Sequence, residues 1–214
     1  MNTVERIVAC YFQLVRKCLT GSDIKVLRGN NRQFDLLAFN VPTGAQYHIE
    51  TGVTHEENWC PTPAEIATRF QEKFFGVPKP RKGRNTDFAK KKSYLPAIKE
   101  TYSLYGFDYE RMTRVWCCWT VRDGSPEEVA EELRALAGKR GVRKPRCEVI
   151  SMRDTVIPQL TRAIGKSNYE DDVLRMISLL EQRRVQVGRR EEREAEIRGR
   201  QQVRRAVAAR RART

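Results

Sequence analysis

Two carboxylates on neighbouring β-like segments of this 214-residue chain carry the clearest chemical signal in it. The first segment reads Gln33-Phe34-Asp35-Leu36-Leu37-Ala38-Phe39-Asn40 and the second Gln46-Tyr47-His48-Ile49-Glu50-Thr51-Gly52-Val53, with Pro42-Thr43-Gly44 as the turn between them. An acid set among apolar residues is unfavourable to bury unless a cation or hydrogen bonds compensate it. If Pro42-Thr43 is a two-residue loop, Val41 faces Gly44 and Asp35 falls opposite Glu50. A slightly longer loop leaves them near or diagonal neighbours, roughly 5–8 Å apart. Such a pair suits a hard divalent cation, Mg²⁺ or Mn²⁺, held by one or two carboxylates and several waters. The same spacing also fits two solvated acids on an edge hairpin.

Several elements must position this pair. Residues 3–19 place Val4, Ile7, Val8, Tyr11, Phe12, Leu14, Val15 and Cys18 on one face, which predicts an amphipathic helix with Thr3 as a candidate N-cap. Thr20-Gly21-Ser22-Asp23 ends it, and Asp23–Arg28 is expected as a short strand before the hairpin. Thr62-Pro63-Ala64-Glu65 is a capping box with Pro at the first helical position, opening a helix to about Phe75 with Ile66, Phe70 and Phe74 on one stripe. The basic segment 78–93 has no periodicity and reads as a mobile loop. A short helix from Pro96 to about Tyr105 follows. Tyr94, Tyr102, Tyr105, Phe107 and Tyr109 near it either stack on bases or, as we favour, pack that helix onto the sheet. The nearly continuous apolar run 113–121 predicts a central strand. Ser125 caps a helix to about Ala137, 147–152 is a further strand, and 154–164 and 169–182 read as helices. Beyond Arg183 the chain is either an Arg/Ala-rich helix or disordered until it meets nucleic acid. Helix, three strands, helix, strand, helix, strand describes an α/β three-layer domain around a mixed sheet.

An acid in a first helix, Gly29-Asn30 ahead of Phe34-Asp35-Leu36-Leu37-Ala38, and Ile49-Glu50 followed by Val53 together resemble the PD-(D/E)XK, or restriction-endonuclease-like, nuclease superfamily. The resemblance is close over residues 3–55 and elsewhere extends only to the order of elements. It implies a three-layer restriction-endonuclease-like core over 1–165, with a helical basic C-terminal extension over 166–214. It implies that Asp35 matches the metal-binding aspartate, Glu50 the acid of the E-x-K element, and Glu5 an auxiliary helix acid. The backbone carbonyl of Thr51 would then be a third metal ligand. The lysine position two after Glu50 is Gly52. In the family that lysine helps orient or activate the attacking water and stabilise developing charge, so its absence bears on catalysis and leaves fold and metal binding as expected. Gly52 is expected to leave open space beside Glu50 for a long side chain from another element. Lys25, Arg32 and Gln33 are the candidates. His48, on the same face as Glu50, is either a base or a packing residue.

Forty-one Lys and Arg against 27 Asp and Glu give a net charge of +14, which points to a polyanionic partner rather than an acidic small molecule. From Arg183 onward there are twelve arginines against four glutamates. A second block carries Lys79, Arg81, Lys82, Arg84, Lys90, Lys91 and Lys92, interrupted only by Asp87. Both blocks are candidate phosphate contacts, together with Arg32 and, in the tail, Arg204, Arg205, Arg210 and Arg211. The six cysteines form no C-x-x-C pair, and Cys117-Cys118 sit within an apolar run as small hydrophobes. Glu5 and Arg6 break any signal-peptide order, and no apolar run is long enough to span a bilayer. A cytoplasmic protein without a membrane partner is expected.

Three functions fit these features. The first is a Mg²⁺-dependent endonuclease hydrolysing phosphodiester bonds in DNA, favoured over RNA, including branched DNA, and working as a homodimer as related resolvases do. The second is a DNA- or RNA-binding module on a degenerate nuclease fold, which Gly52 favours. The third is a basic ribonucleoprotein component, which leaves the paired acids unexplained.

Overall fold

The computed structural model describes residues 2–28, 31–54, 60–78, 93–165 and 169–211. The chain divides into two compact units, Met1–Ala163 and Ile164–Thr214. The first is α/β: a five-stranded mixed sheet, in the order β1-β2-β3-β4-β5, flanked by helices.

Helix α1 (Thr3–Leu14) is capped one residue earlier than the Thr3 cap expected from sequence. Asn2 is the N-cap, in a reciprocal capping box with Glu5. The helix ends four or five residues earlier than its apolar periodicity suggests, because Lys17 takes a left-handed conformation (φ 56°) and turns the chain into β1 (Leu19–Lys25). β1 therefore begins at Leu19, not Asp23, and Leu19 pairs with Phe39. β2 (Gln33–Asn40) and β3 (Ala45–Thr51) form the expected antiparallel hairpin. Gly44 (φ 67°) closes its turn by donating its amide to the Asn40 carbonyl at 2.8 Å. The register places Leu36 opposite Ile49, so the next step brings Asp35 to Glu50.

β4 (Thr113–Cys118) and β5 (Arg146–Ser151) run parallel to β3, as crossover connections require. Helix α2 (Pro63–Phe75) is capped by Thr62 and stopped by the left-handed Gly76. The next helices are α3 (Leu95–Leu104) and α4 (Pro126–Lys139). After β5, a π-helical turn (Met152–Val156) leads into α5 (Ile157–Ile164). On one face of the sheet, Val8, Tyr11 and Phe12 of α1 pack with Val156 on Leu36, Ala38, Ile49, Val115 and Ile150. On the other, Ile66, Phe70 and Phe74 of α2 and Val129 and Leu133 of α4 cover Trp116 and Val149, while Ile98 and Tyr102 of α3 cover Phe34 and Leu37.

In the second unit, α6 (Asp172–Arg211) is one helix of 40 residues that takes in the Arg-rich tail; Arg204, Arg205, Arg210 and Arg211 fall on its last turns. Arg184, Arg190 and Arg200 pair with Glu181, Glu194 and Glu196 one helical turn away. Among the described residues, no helix is long and apolar enough to cross a membrane. Lys79, Arg81, Lys82, Arg84, Lys90, Lys91 and Lys92, with most of the loop expected over 78–93, lie outside the described residues.

Candidate functional site

Strand alternation turns His48 and Glu50 to the side of the sheet opposite Ile49, toward α2 and α3. There Asp35 and Glu50 are almost completely buried, their side chains 8 % and 0 % exposed. One ammonium bridges them. Lys73, in the last turn of α2, reaches Asp35 Oδ1 at 3.2 Å and ion-pairs with Glu50 Oε2. The second oxygen of each carboxylate is also held. Asp35 Oδ2 accepts from the Thr51 amide at 2.8 Å and from its hydroxyl at 3.1 Å. Glu50 Oε1 lies 2.8 Å from His48 Nε2, and His48 Nδ1 lies 2.6 Å from the Tyr102 hydroxyl.

The charge states follow from this packing. Burial pushes the Asp35 carboxyl up, as does neighbouring Glu50, against the pull of Lys73 and the Thr51 amide. Burial likewise raises Glu50, opposed by Lys73. Burial works to discharge Lys73, but the two carboxylates outweigh it and its pKa is pushed up to about 12. His48, wholly buried between Phe34 and Phe74 (ring centroids 4.4 and 4.5 Å), is held well below its usual pKa by desolvation, with Lys73 and Arg114 adding to the effect. A neutral ring beside an ionised Glu50 carries its proton on Nε2, which donates to Glu50. Nδ1 then accepts from Tyr102. Tyr102, Glu50 and His48 thus form a dry hydrogen-bond chain that fixes the direction of the Glu50 carboxylate.

Arg114, on β4 beside His48, is also fully buried and has no carboxylate against it among the described residues. Its guanidinium lies over the rings of Tyr109 (4.6 Å) and Phe75 (5.5 Å) and donates to the Tyr109 carbonyl. Aromatic faces substitute for its counterion.

The structure does not bring the other expected residues to this cluster. Glu5 spends both oxygens on Asn2, on a helix packed against the opposite face of the sheet. Lys25 is exposed at the end of β1, and exposed Gln33 donates to Asp23. Arg32 donates to the Glu72 carbonyl and lies over the Tyr94 ring at 4.4 Å. None of these three takes the lysine's place. Nor is the space at Gly52 open, because a Cβ there would sit 2.5 Å from the buried Trp116 ring. Of the aromatic group, Tyr102 is buried and Phe107 and Tyr109 pack against the core, as in the packing role, while Tyr105 is exposed. All six cysteines are free.

Lys73 is not among the residues expected from sequence, although α2 carries a signal for it. Ile66, Phe70 and Lys73 follow the i, i+4, i+7 spacing of the inward stripe, so a lysine stands where an apolar residue belongs. A polar residue on an inward stripe needs a buried partner, and two acids in need of a cation lie on the facing strands.

Could this site hold a metal? Among the described residues no group of three or more His, Cys, Asp and Glu is arranged to bind one. Two hard carboxylates do fit Mg²⁺ or Mn²⁺, which retain several waters. With His48 neutral, the hard donors at this site are the two carboxylates, between which Lys73 is ion-paired. Comparison with protein-family models, with curated proteins and with solved structures gave no match to this chain.

Proposed function

We propose that this chain is a Mg²⁺- or Mn²⁺-dependent endonuclease on a restriction-endonuclease-like core, with DNA as its substrate. The observation that carries the proposal is the single Lys73 ammonium held between the Asp35 and Glu50 carboxylates. Two acids and a lysine converge as in the family's motif, except that the lysine comes from α2 instead of position 52.

Asp35 and Glu50 would hold the ion, which supplies Lewis acidity to the scissile phosphate and to the attacking water. The chain's own residues do the rest. Thr51 and Lys73 orient Asp35, and His48 with Tyr102 orients Glu50, so each acid offers a fixed lone pair and needs no reorganisation during reaction. Lys73, permanently charged at neutral pH, is placed to stabilise charge developing on the phosphate or to orient water. Its side chain is 36 % exposed while Glu50 is covered, so approach from solvent passes Lys73.

The same ion pair supports a second reading. Lys73 already occupies the place between the acids, as it would in a binding module that has replaced its metal with an internal cation. One experiment separates the two: the full chain is incubated with linear, single-stranded and branched DNA and with RNA, in Mg²⁺, Mn²⁺ or EDTA. The nuclease reading expects divalent-dependent nicking that Asp35→Ala and Glu50→Ala abolish without loss of binding. Binding without cleavage of any substrate in either metal would leave the module as the better account.

A further inference from the structure

We infer that the turn joining α4 to β5, residues 139–146, is a contact surface for the sugar–phosphate backbone of the nucleic acid, and for the identity of that partner the inference rests on the reading above. Lys139, Arg140, Arg143, Lys144 and Arg146 place five cations in eight residues with no acid among them, and all five are exposed.

The turn is anchored. Arg140 and Val142 both donate their amides to the Ala137 carbonyl at the end of α4, and Gly141 adopts φ 88° to reverse the chain. Val142, 2 % exposed, is embedded in the core with Leu133 and Cys147. The Arg143 amide donates to Glu110 Oε2 at 2.9 Å. Backbone fixed at this many points presents its side chains from a constant position.

Clustering sets these side chains apart, because exposed cations without an ion pair elsewhere in the unit, such as Lys25 and Arg111, stand singly among the described residues. Arg28 and Arg153 are exposed too, yet each is paired with an acid, Glu100 and Asp154, as is the half-buried Arg134 with Glu131. Among the described residues none of the five cations of the turn forms an ion pair; Arg140 donates only to the neutral Gln71 amide. Crowding like charges opposes folding, and a polyanion that releases its condensed counterions on contact reverses that effect.

The turn lies at the N-terminal end of β5, and alternation with Cys147 and Val149 turns Arg146 to the α1 face, away from the acid pair. Arg146 is in register with Thr113 of β4, and Thr113 with Tyr47 of β3, three residues before Glu50. With ~3.3 Å per residue and ~4.8 Å per strand, the Arg146 and Glu50 backbones are roughly 14 Å apart. A duplex carries one charge per ~1.7 Å of axis, so five exposed cations within one turn can meet successive phosphates of a single backbone. Arg143 and Arg146 present forked guanidinium groups, the geometry that phosphate oxygens take in pairs.

The test compares the full-length wild type with a triple variant, Arg143→Gln, Lys144→Gln and Arg146→Gln, binding a DNA duplex over a series of KCl concentrations in EDTA. Each lost phosphate contact lowers the slope of log K against log salt by about 0.9, so a fall of about 2 to 3 is expected, with tenfold or greater loss of affinity at low salt. The single variants Arg143→Gln and Lys144→Gln, each expected to lower the slope by about 1, keep the test valid if the triple variant is unstable. An unchanged slope in all variants, or a wild type that binds no duplex, overturns the inference. Loss of binding to polyglutamate or to phosphatidylserine vesicles, with duplex binding intact, overturns it too and assigns the turn to an acidic protein or a membrane. A reduced slope in a protein that cleaves nothing upholds the contact surface while removing the nuclease reading.

Discussion

Charge is handled in opposite ways around Glu50 and along α6. At Glu50 a few ionisable groups are buried, and each has at least two fixed partners. Lys73 touches both acids, Asp35 takes Thr51 twice, and His48 bridges Glu50 to Tyr102. Along α6 the charges are numerous and solvated, and the pairs present, such as Arg190–Glu194 at 2.9 Å, join neighbours one turn apart with side chains 82 % and 48 % exposed. Water screens the second kind of pair to near indifference, whereas in the first, loss of one member strands the others without solvent. Composition therefore says little about which charges matter. Burial decides it, and here it selects a handful of residues from a strongly basic chain.

Substitutions should sharpen that contrast in a definite order of size. Lys73→Met leaves two acids in the core without their cation. Removing one partner of a fully buried pair costs about 3–5 kcal/mol. Because Lys73 is 36 % exposed, we expect about 2–3 kcal/mol in urea unfolding, with part of the loss recovered in Lys73→Met/Glu50→Gln. Gly52→Lys, which restores the family's motif on paper, should destabilise by about 1–3 kcal/mol because its Cβ collides with Trp116, and should not raise activity. A fully stable Gly52→Lys protein would show that the Trp116 ring yields easily.

Tyr102→Phe removes the donor to His48 Nδ1 and leaves a buried acceptor unpaired, for an expected loss of about 1–3 kcal/mol by thermal melting. The pH dependence of stability reports on the same ring. His48 stays neutral in the fold, while in the unfolded chain it takes up a proton near pH ~6.5. The unfolded state therefore binds more protons below that pH, and stability falls as pH drops through it. In EDTA, His48→Gln should lose less stability than wild type between pH ~7.5 and ~5; parallel curves would mean that the ring is charged in the fold. At the small end, Arg190→Ala should change stability by no more than about 0.5 kcal/mol. A larger change would mean that α6 charges have partners beyond their own helix.

The parts of this arrangement legible in the sequence are those set by local rules. Alternation, turn residues and register follow from a short contiguous stretch, and these alone are enough to place Asp35 beside Glu50. Capping boxes at Thr62 and Ser125 fix helix starts in the same way. What the sequence hides depends on distant contacts. Lys73 lies 38 residues beyond Asp35, and only the way α2 crosses the sheet brings it there. The filling of the Gly52 space by Trp116 depends on a crossover strand. Glu5 misleads because an acid three residues after Asn2 serves equally well as half of a capping box. The start of β1 is hard to read because Lys17 and Asp23 adopt positive φ, which their residue types do not announce.

If Lys73 supplies the cation that position 52 lacks, the decisive measurement is the single-turnover cleavage rate of Lys73→Met at saturating Mg²⁺ on whichever DNA the wild type cuts. One positioned cationic or donor group is worth about a hundredfold or more in rate. The account predicts a loss of that order, with DNA affinity within about threefold of wild type, since a single phosphate contact is the most that Lys73 contributes to binding. A Lys73→Met protein that is folded and cleaves at the wild-type rate would contradict the assignment and return Lys73 to the role of a buried counterion.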